Sequence, residues 1–129
     1  MIKIAMTSVY VDDQQKALAF YTDVLGFETR TNIDLGHAAF VTVGARGGAQ
    51  DVELLLEPGD SPIARDYTTA LREAGLPCIA FSVDDLRAEY ERLTGLGVRF
   101  TQPPTAQGPV LTAVLDDTVG NFVQLTQRI

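Results

Sequence analysis

A chain of 129 residues, 46% apolar and 21% charged, is long enough for one domain or for one domain made of two similar halves. A chain of that size buries roughly two-thirds of its unfolded surface, so it needs neither metal nor disulfide staples for a core. The net charge of −7 argues against nucleic acid, no apolar run approaches the ~20 residues that span a bilayer, and the single Cys78 rules out an internal disulfide framework.

These features predict a cytoplasmic protein with no membrane or nucleic-acid partner, and Met1 to Ile4 leads into a strand without a signal-peptide pattern. The surplus acids either keep the surface solvated or line a cleft for neutral or cationic ligands.

Ile2 to Val11 alternates, with Ile4, Met6, Ser8 and Tyr10 on one face and Ala5, Thr7, Val9 and Val11 on the other, which predicts a strand with one buried face. Asp12 and Asp13 can cap the N–H groups of a following helix, and Ala17, Phe20, Tyr21, Val24 and Leu25 give that helix one apolar stripe. Gly26 ends it. Strands are predicted from Phe27 to Leu35, from Ala38 to Val43 and from Asp51 to Glu57, with a turn at Gly36 and a loop tip over Gly44 to Gln50. Gly47-Gly48 is not a phosphate cradle, because no Lys-Ser/Thr follows it and the next element is a strand.

Pro62 opens a connector helix that stops at Gly75. The second half then repeats the first: a strand from Pro77 to Val83, a helix from Asp84 to Thr94, and a strand entered at Val98 to Thr101. Pro103-Pro104 and Gly108-Pro109 predict a loop, since proline cannot donate to a ladder. Val110 to Leu115 and Asn121 to Thr126 form a closing hairpin. The expected fold is α+β, one domain over 1–129, with module one at 1–59, a connector helix at 60–76 and module two at 77–129. Each module reads β-α-β-β-β.

This doubled pattern resembles the glyoxalase/bleomycin-resistance/dioxygenase, or vicinal oxygen chelate, superfamily. The resemblance is carried by Val9-Tyr10-Val11-Asp12-Asp13, Ala19-Phe20-Tyr21, Leu25-Gly26-Phe27, Val52-Glu53-Leu54-Leu55-Leu56-Glu57-Pro58 and Leu115-Asp116-Asp117 with Gly120-Asn121-Phe122-Val123-Gln124-Leu125. It covers nearly the whole chain. It implies two cup-shaped half-barrel sheets with helices outside, whose cups make one cavity, and a homodimer. It also implies four cavity positions that hold a metal in metal-using members, and these fall on Met6, Glu53, Cys78 and Gln124. Only Glu53 keeps a strong ligand there. Met6 offers a soft thioether, Gln124 a neutral amide, and a cysteine in an apolar strand is more often a buried hydrophobe. The expectation is therefore no metal and no cofactor.

The leading functional expectation is a metal-free small-molecule-binding protein, with ligand-binding residues Met6, Ser8, Tyr10, Glu53, Cys78 and Gln124. The alternative is a glyoxalase-type isomerase or lyase, similar to lactoylglutathione lyase, with Glu53 as catalytic base. An inert member acting through protein contacts is the third reading. Gln124 is the expected partner of Glu53 across the cavity. The lone His37 reads as a solvated turn residue, and Glu57 as a strand-end carboxylate in water. Tyr10 and Tyr67 are weighed as rim groups but read first as packing, and Arg30, Arg46 and Arg65 read as surface cations. No Ser/His/Asp or Cys/His nucleophile arrangement is present.

Overall fold

The computed structural model describes residues 1–47 and 52–129, and the chain divides into two compact units, Met1–Asp66 and Tyr67–Ile129. The expected loop tip beyond Gly47 and the expected strand start at Asp51 lie outside the described residues.

The first unit contains β1 (Met6–Val11), α1 (Gln14–Ala19), β2 (Glu28–Asp34), β3 (Ala39–Gly44) and β4 (Glu53–Pro58), in the sheet order β1-β4-β3-β2. β1 runs parallel to β4, and the other neighbours are antiparallel. Asp13 starts α1 as predicted, its Oδ1 accepting from the Lys16 N–H at 3.0 Å. The helix start is also bolted to the sheet by Gln14. Its Nε2 donates to the Ala39 and Leu56 carbonyls at 2.7 and 2.9 Å, and its Oε1 accepts from the Ala39 N–H at 3.0 Å. The predicted apolar stripe buries Ala17, Phe20 and Tyr21, and the helix-covered face of the sheet buries Val9, Val11, Val41, Val43, Leu54 and Leu56. At ~1.5–3 kcal/mol for each large apolar side chain, this layer is the main stabilising term of the unit.

One feature was not legible. After Ala19 the helix widens into a π-helical turn over Phe20–Val24, with the Leu25 N–H reaching the Phe20 carbonyl at 3.0 Å. Gly26, at φ +92°, then turns the chain out of it.

α2 (Pro62–Glu73) crosses the boundary between the units. The second unit continues with β5 (Ile79–Ser82), α3 (Leu86–Gly95), β6 (Phe100–Gln107), β7 (Val110–Asp116) and β8 (Phe122–Arg128), in the order β5-β8-β7-β6. Here Asp85 caps α3 through the Ala88 N–H at 3.1 Å, and Gln127 Oε1 accepts from the Leu86 N–H at 2.8 Å. Leu86, Leu93 and Val98 are buried, as are Leu111, Ala113, Leu115, Val123 and Leu125 of the sheet. Arg72, in the last turn of α2, bonds Asp116 at 2.9 Å and lies 4.6 Å from the centre of the Phe122 ring.

The two sheets are open, and the α+β class with two β-α-β-β-β modules holds. Two boundaries do not. Ile2 to Ala5 precede β1 instead of belonging to it, and Ile2 and Ile4 are exposed. The stretch expected as a proline loop is strand β6, which carries both Pro103 and Pro104. β6 is an edge strand, so a missing N–H need not break a central ladder, and its pairing with β7 shifts between Phe100 and Gln102 and again between Gln102 and Thr105.

Candidate functional site

In the first unit the register sets Met6 beside Glu53, Ser8 beside Leu55 and Tyr10 beside Glu57. Since side chains alternate, Met6, Ser8, Tyr10 and Glu53 share the face opposite the buried Val9, Val11, Leu54 and Leu56. Glu53 is half-buried, and its Oε1 accepts from the Thr42 hydroxyl at 2.8 Å. Thr42 is fully buried, so this hydroxyl fixes the carboxylate from beneath and leaves it acceptor capacity on the open side. Met6 is 38% exposed and Ser8 is exposed, while Tyr10 is half-buried.

Arg30 corrects a sequence expectation. It is not a free surface cation: its side chain is only 12% exposed. The β2–β3 register shifts between Thr29 and Thr31, so Arg30 occupies a bulge, a device that re-aims a side chain. Its guanidinium lies against Gly44, where an added Cβ would come 2.6 Å from Cζ. Gly44 is two residues from Thr42 on the same strand, so Arg30 covers the face that carries Glu53. The one signal in the sequence was Gly44, which reads as the start of a loop until strand pairing sets it beside Glu28.

In the second unit Gln124, half-buried, stands beside Ala80 on β5 and Val114 on β7. Cys78 lies two residues before Ala80 and its N–H donates to the Phe122 carbonyl at 3.0 Å, so its lateral neighbour is Phe122 rather than Gln124. Burial pushes the Cys78 thiol up to about 11, with the negative charge of Asp117 adding to the effect. The structure thus brings Met6 and Glu53 together, and sets Cys78 apart from Gln124. Sequence reasoning also passed over a cavity of about 500 Å³ in this unit, lined by Ser82, Thr126, Arg128 and Val110 together with Asp84. The parity that selects Gln124 also selects Thr126 and Arg128 two and four residues on.

His37 is exposed at the β2–β3 turn, and Arg46, Arg65 and Tyr67 are exposed too. Among the described residues no three His, Cys, Asp or Glu side chains lie close enough to hold a metal ion together. A thioether beside one carboxylate is a poor donor set for a hard divalent ion.

Two β-α-β-β-β units, each an open four-stranded sheet, define an α+β class of proteins by fold. The chain belongs to the Glyoxalase/Bleomycin resistance protein/Dioxygenase superfamily, whose sequence profile matches residues 3–125. It is 42% identical over 127 residues to the protein YurT of Bacillus subtilis (strain 168), covering 98% of this chain and 100% of that one. Among solved structures it is similar to UcmS2, with a TM-score of 0.83, 30% identity and 98% of each chain covered. It is also similar to TnmS3, an antibiotic binding protein from Streptomyces sp. CB03234, with a TM-score of 0.77, 25% identity and coverage of 100% of this chain and 98% of that one.

Proposed function

We propose that the chain is a metal-free small-molecule-binding protein of this superfamily, and that Glu53 is its principal anchor. The observation that supports this most is the Thr42–Glu53 hydrogen bond of 2.8 Å beneath a carboxylate that keeps free acceptor capacity beside the exposed Met6. A carboxylate held in one orientation accepts a hydrogen bond from a ligand hydroxyl or amine without first losing rotamer freedom. The likeness to TnmS3, an antibiotic binding protein, favours binding over turnover.

The test is one variant measured two ways. Glu53→Gln should weaken the binding of a hydroxyl- or amine-bearing ligand found by thermal-shift screening by about 1.5–3 kcal/mol, the range for a charge-assisted hydrogen bond, with the melting temperature nearly unchanged. Unchanged affinity removes Glu53 from the site. Elemental analysis of protein purified without chelator should find no stoichiometric zinc, nickel, iron or manganese; one ion per chain rejects the metal-free reading. The same proposal includes a homodimer, because β1 is an edge strand preceded by the exposed Ile2 and Ile4. A monomer mass by light scattering at micromolar concentration rejects it.

A further inference from the structure

We propose that Arg30 is a second ligand-binding residue on the Glu53 face of the first sheet, and that the molecule bound there carries an anionic oxygen next to a hydroxyl, as an aromatic hydroxycarboxylate does. This rests on the reading of that face as a binding surface.

Three observations carry it. First, Arg30 is held in place rather than solvated. Its Nη2 donates to the Ala45 carbonyl at 3.0 Å, and its side chain is only 12% exposed. Second, its donors are not used up. A guanidinium carries five N–H donors, yet the carboxylate that pairs with it, Glu28, stands at 3.7 Å, beyond hydrogen-bond length, and Nε is buried with no acceptor among the described residues. A buried donor without an acceptor marks a place where an oxygen is missing from the account.

Third, the position faces the right partner. Thr42 pairs with Leu55 and Val43 with Leu54, and the same register continued one step brings Gly44 level with Glu53. Gly44, against which the guanidinium lies, and Glu53 are therefore lateral neighbours on adjacent strands of one face. The ion pair that Arg30 makes is with Glu28, not with Glu53. A planar ligand can thus set a carboxylate on the guanidinium fork and donate from an adjacent hydroxyl to Glu53. Gly44 is what makes room: a Cβ there would stand 2.6 Å from both Cζ and Nη2 of Arg30.

The experiment is a titration of ¹⁵N-labelled protein followed by NMR, with salicylate as the probe and benzyl alcohol, which has a hydroxyl for Glu53 but no anionic oxygen for Arg30, as the control. Salicylate should shift the Arg30 Nε–H and Thr42 amide signals saturably. Arg30→Gln should weaken salicylate at least tenfold and leave benzyl alcohol unchanged. Gly44→Ala keeps the charge but displaces the guanidinium, and should weaken salicylate in the same way; it decides the matter if Arg30→Gln does not fold. Equal salicylate affinity in the wild type and in either folded variant overturns the role of Arg30 while the Glu53 surface stands. Benzyl alcohol binding without salicylate binding does the same. If neither probe binds, both the surface and the role of Arg30 are overturned.

Discussion

Thr42 in the first unit and Thr112 in the second occupy matching places, and their hydroxyls do different work. Thr42 pairs with Leu55 and stands diagonal to Glu53, while Thr112 pairs with Thr126 and stands diagonal to Gln124. Both are buried. Thr42 donates to Glu53 at 2.8 Å, whereas Thr112 Oγ1 accepts from Gln102 Nε2 at 3.1 Å. The acids differ in the same sense. Glu53 accepts one bond from Thr42 on a half-open face. Asp117, with no exposed surface, accepts from the Val119 N–H at 2.9 Å, the Asn121 N–H at 2.9 Å and Asn121 Nδ2 at 3.0 Å. One carboxylate is left with capacity and the other is saturated. The difference teaches that a repeated fold can leave one acid open to a further donor, as the proposed binding role of Glu53 requires, and commit another wholly to its own scaffold.

The largest expected effect tests that contrast directly. Asp117→Ala leaves the buried N–H donors of Val119 and Asn121 without their acceptor, at ~1–3 kcal/mol for each unsatisfied buried group. We expect a loss of roughly 3 kcal/mol or more by urea denaturation, against less than ~1 kcal/mol for Glu53→Gln. Equal losses would erase the distinction between a scaffolding acid and a binding one.

A smaller effect belongs to Cys78. Its folded-state thiol sits at about 11 against an ordinary 9.0, chiefly through burial and then through the Asp117 charge. The folded chain therefore holds the proton more tightly than the unfolded chain. Stability from this group is present in full below about pH 9 and is lost as pH rises from there through about 11. Denaturation at stepped pH should show the fall in wild type and a flatter curve in Cys78→Ala. At pH 8 iodoacetamide should react far more slowly with the folded chain than with the urea-unfolded chain, because only the thiolate attacks. Equal rates would show that Cys78 is as open as the Glu53 face.

Much of this contrast could be read from residues and some of it could not. The helix caps Asp13 and Asp85 appear where the Asp-Asp pairs predict them, and alternation assigns Glu53 and Gln124 to the faces opposite their helices. The lateral register stayed hidden. Matching the Val-Asp-Asp repeats aligns Cys78 with Met6, yet the residue beside Gln124 is Ala80, as Met6 is beside Glu53. A slip of two residues preserves which face a side chain takes, so alternation cannot detect it. Arg30 was hidden for a related reason: a bulge adds one residue to one strand only, and its effect depends on the partner strand. Pro103 and Pro104 misled because edge position, which makes them tolerable, is a property of the sheet order.

The smallest expected effect concerns His37, and it tests whether the far end of the first unit matters to binding. The residue lines a cavity of about 470 Å³ with Asp13, Gln14, Gln15, Asn32 and Asp34, so a functional role is open to it. The turn itself is held without it. Asp34 Oδ1 accepts from the Gly36 N–H at 2.8 Å, the Leu35 N–H reaches the Ala38 carbonyl at 2.8 Å, and Gly36 takes φ +92°. Gln14 fixes Ala39 from the helix side by two bonds. The imidazole is exposed, so its removal leaves little newly bared apolar surface, and exposed substitutions usually move stability by less than ~0.5 kcal/mol. His37→Ala should therefore leave both the urea midpoint and the affinity for a Glu53-dependent ligand within error of wild type. A tenfold loss of affinity with the midpoint unchanged would move the proposed binding surface of the first unit from Glu53 to the β2–β3 turn.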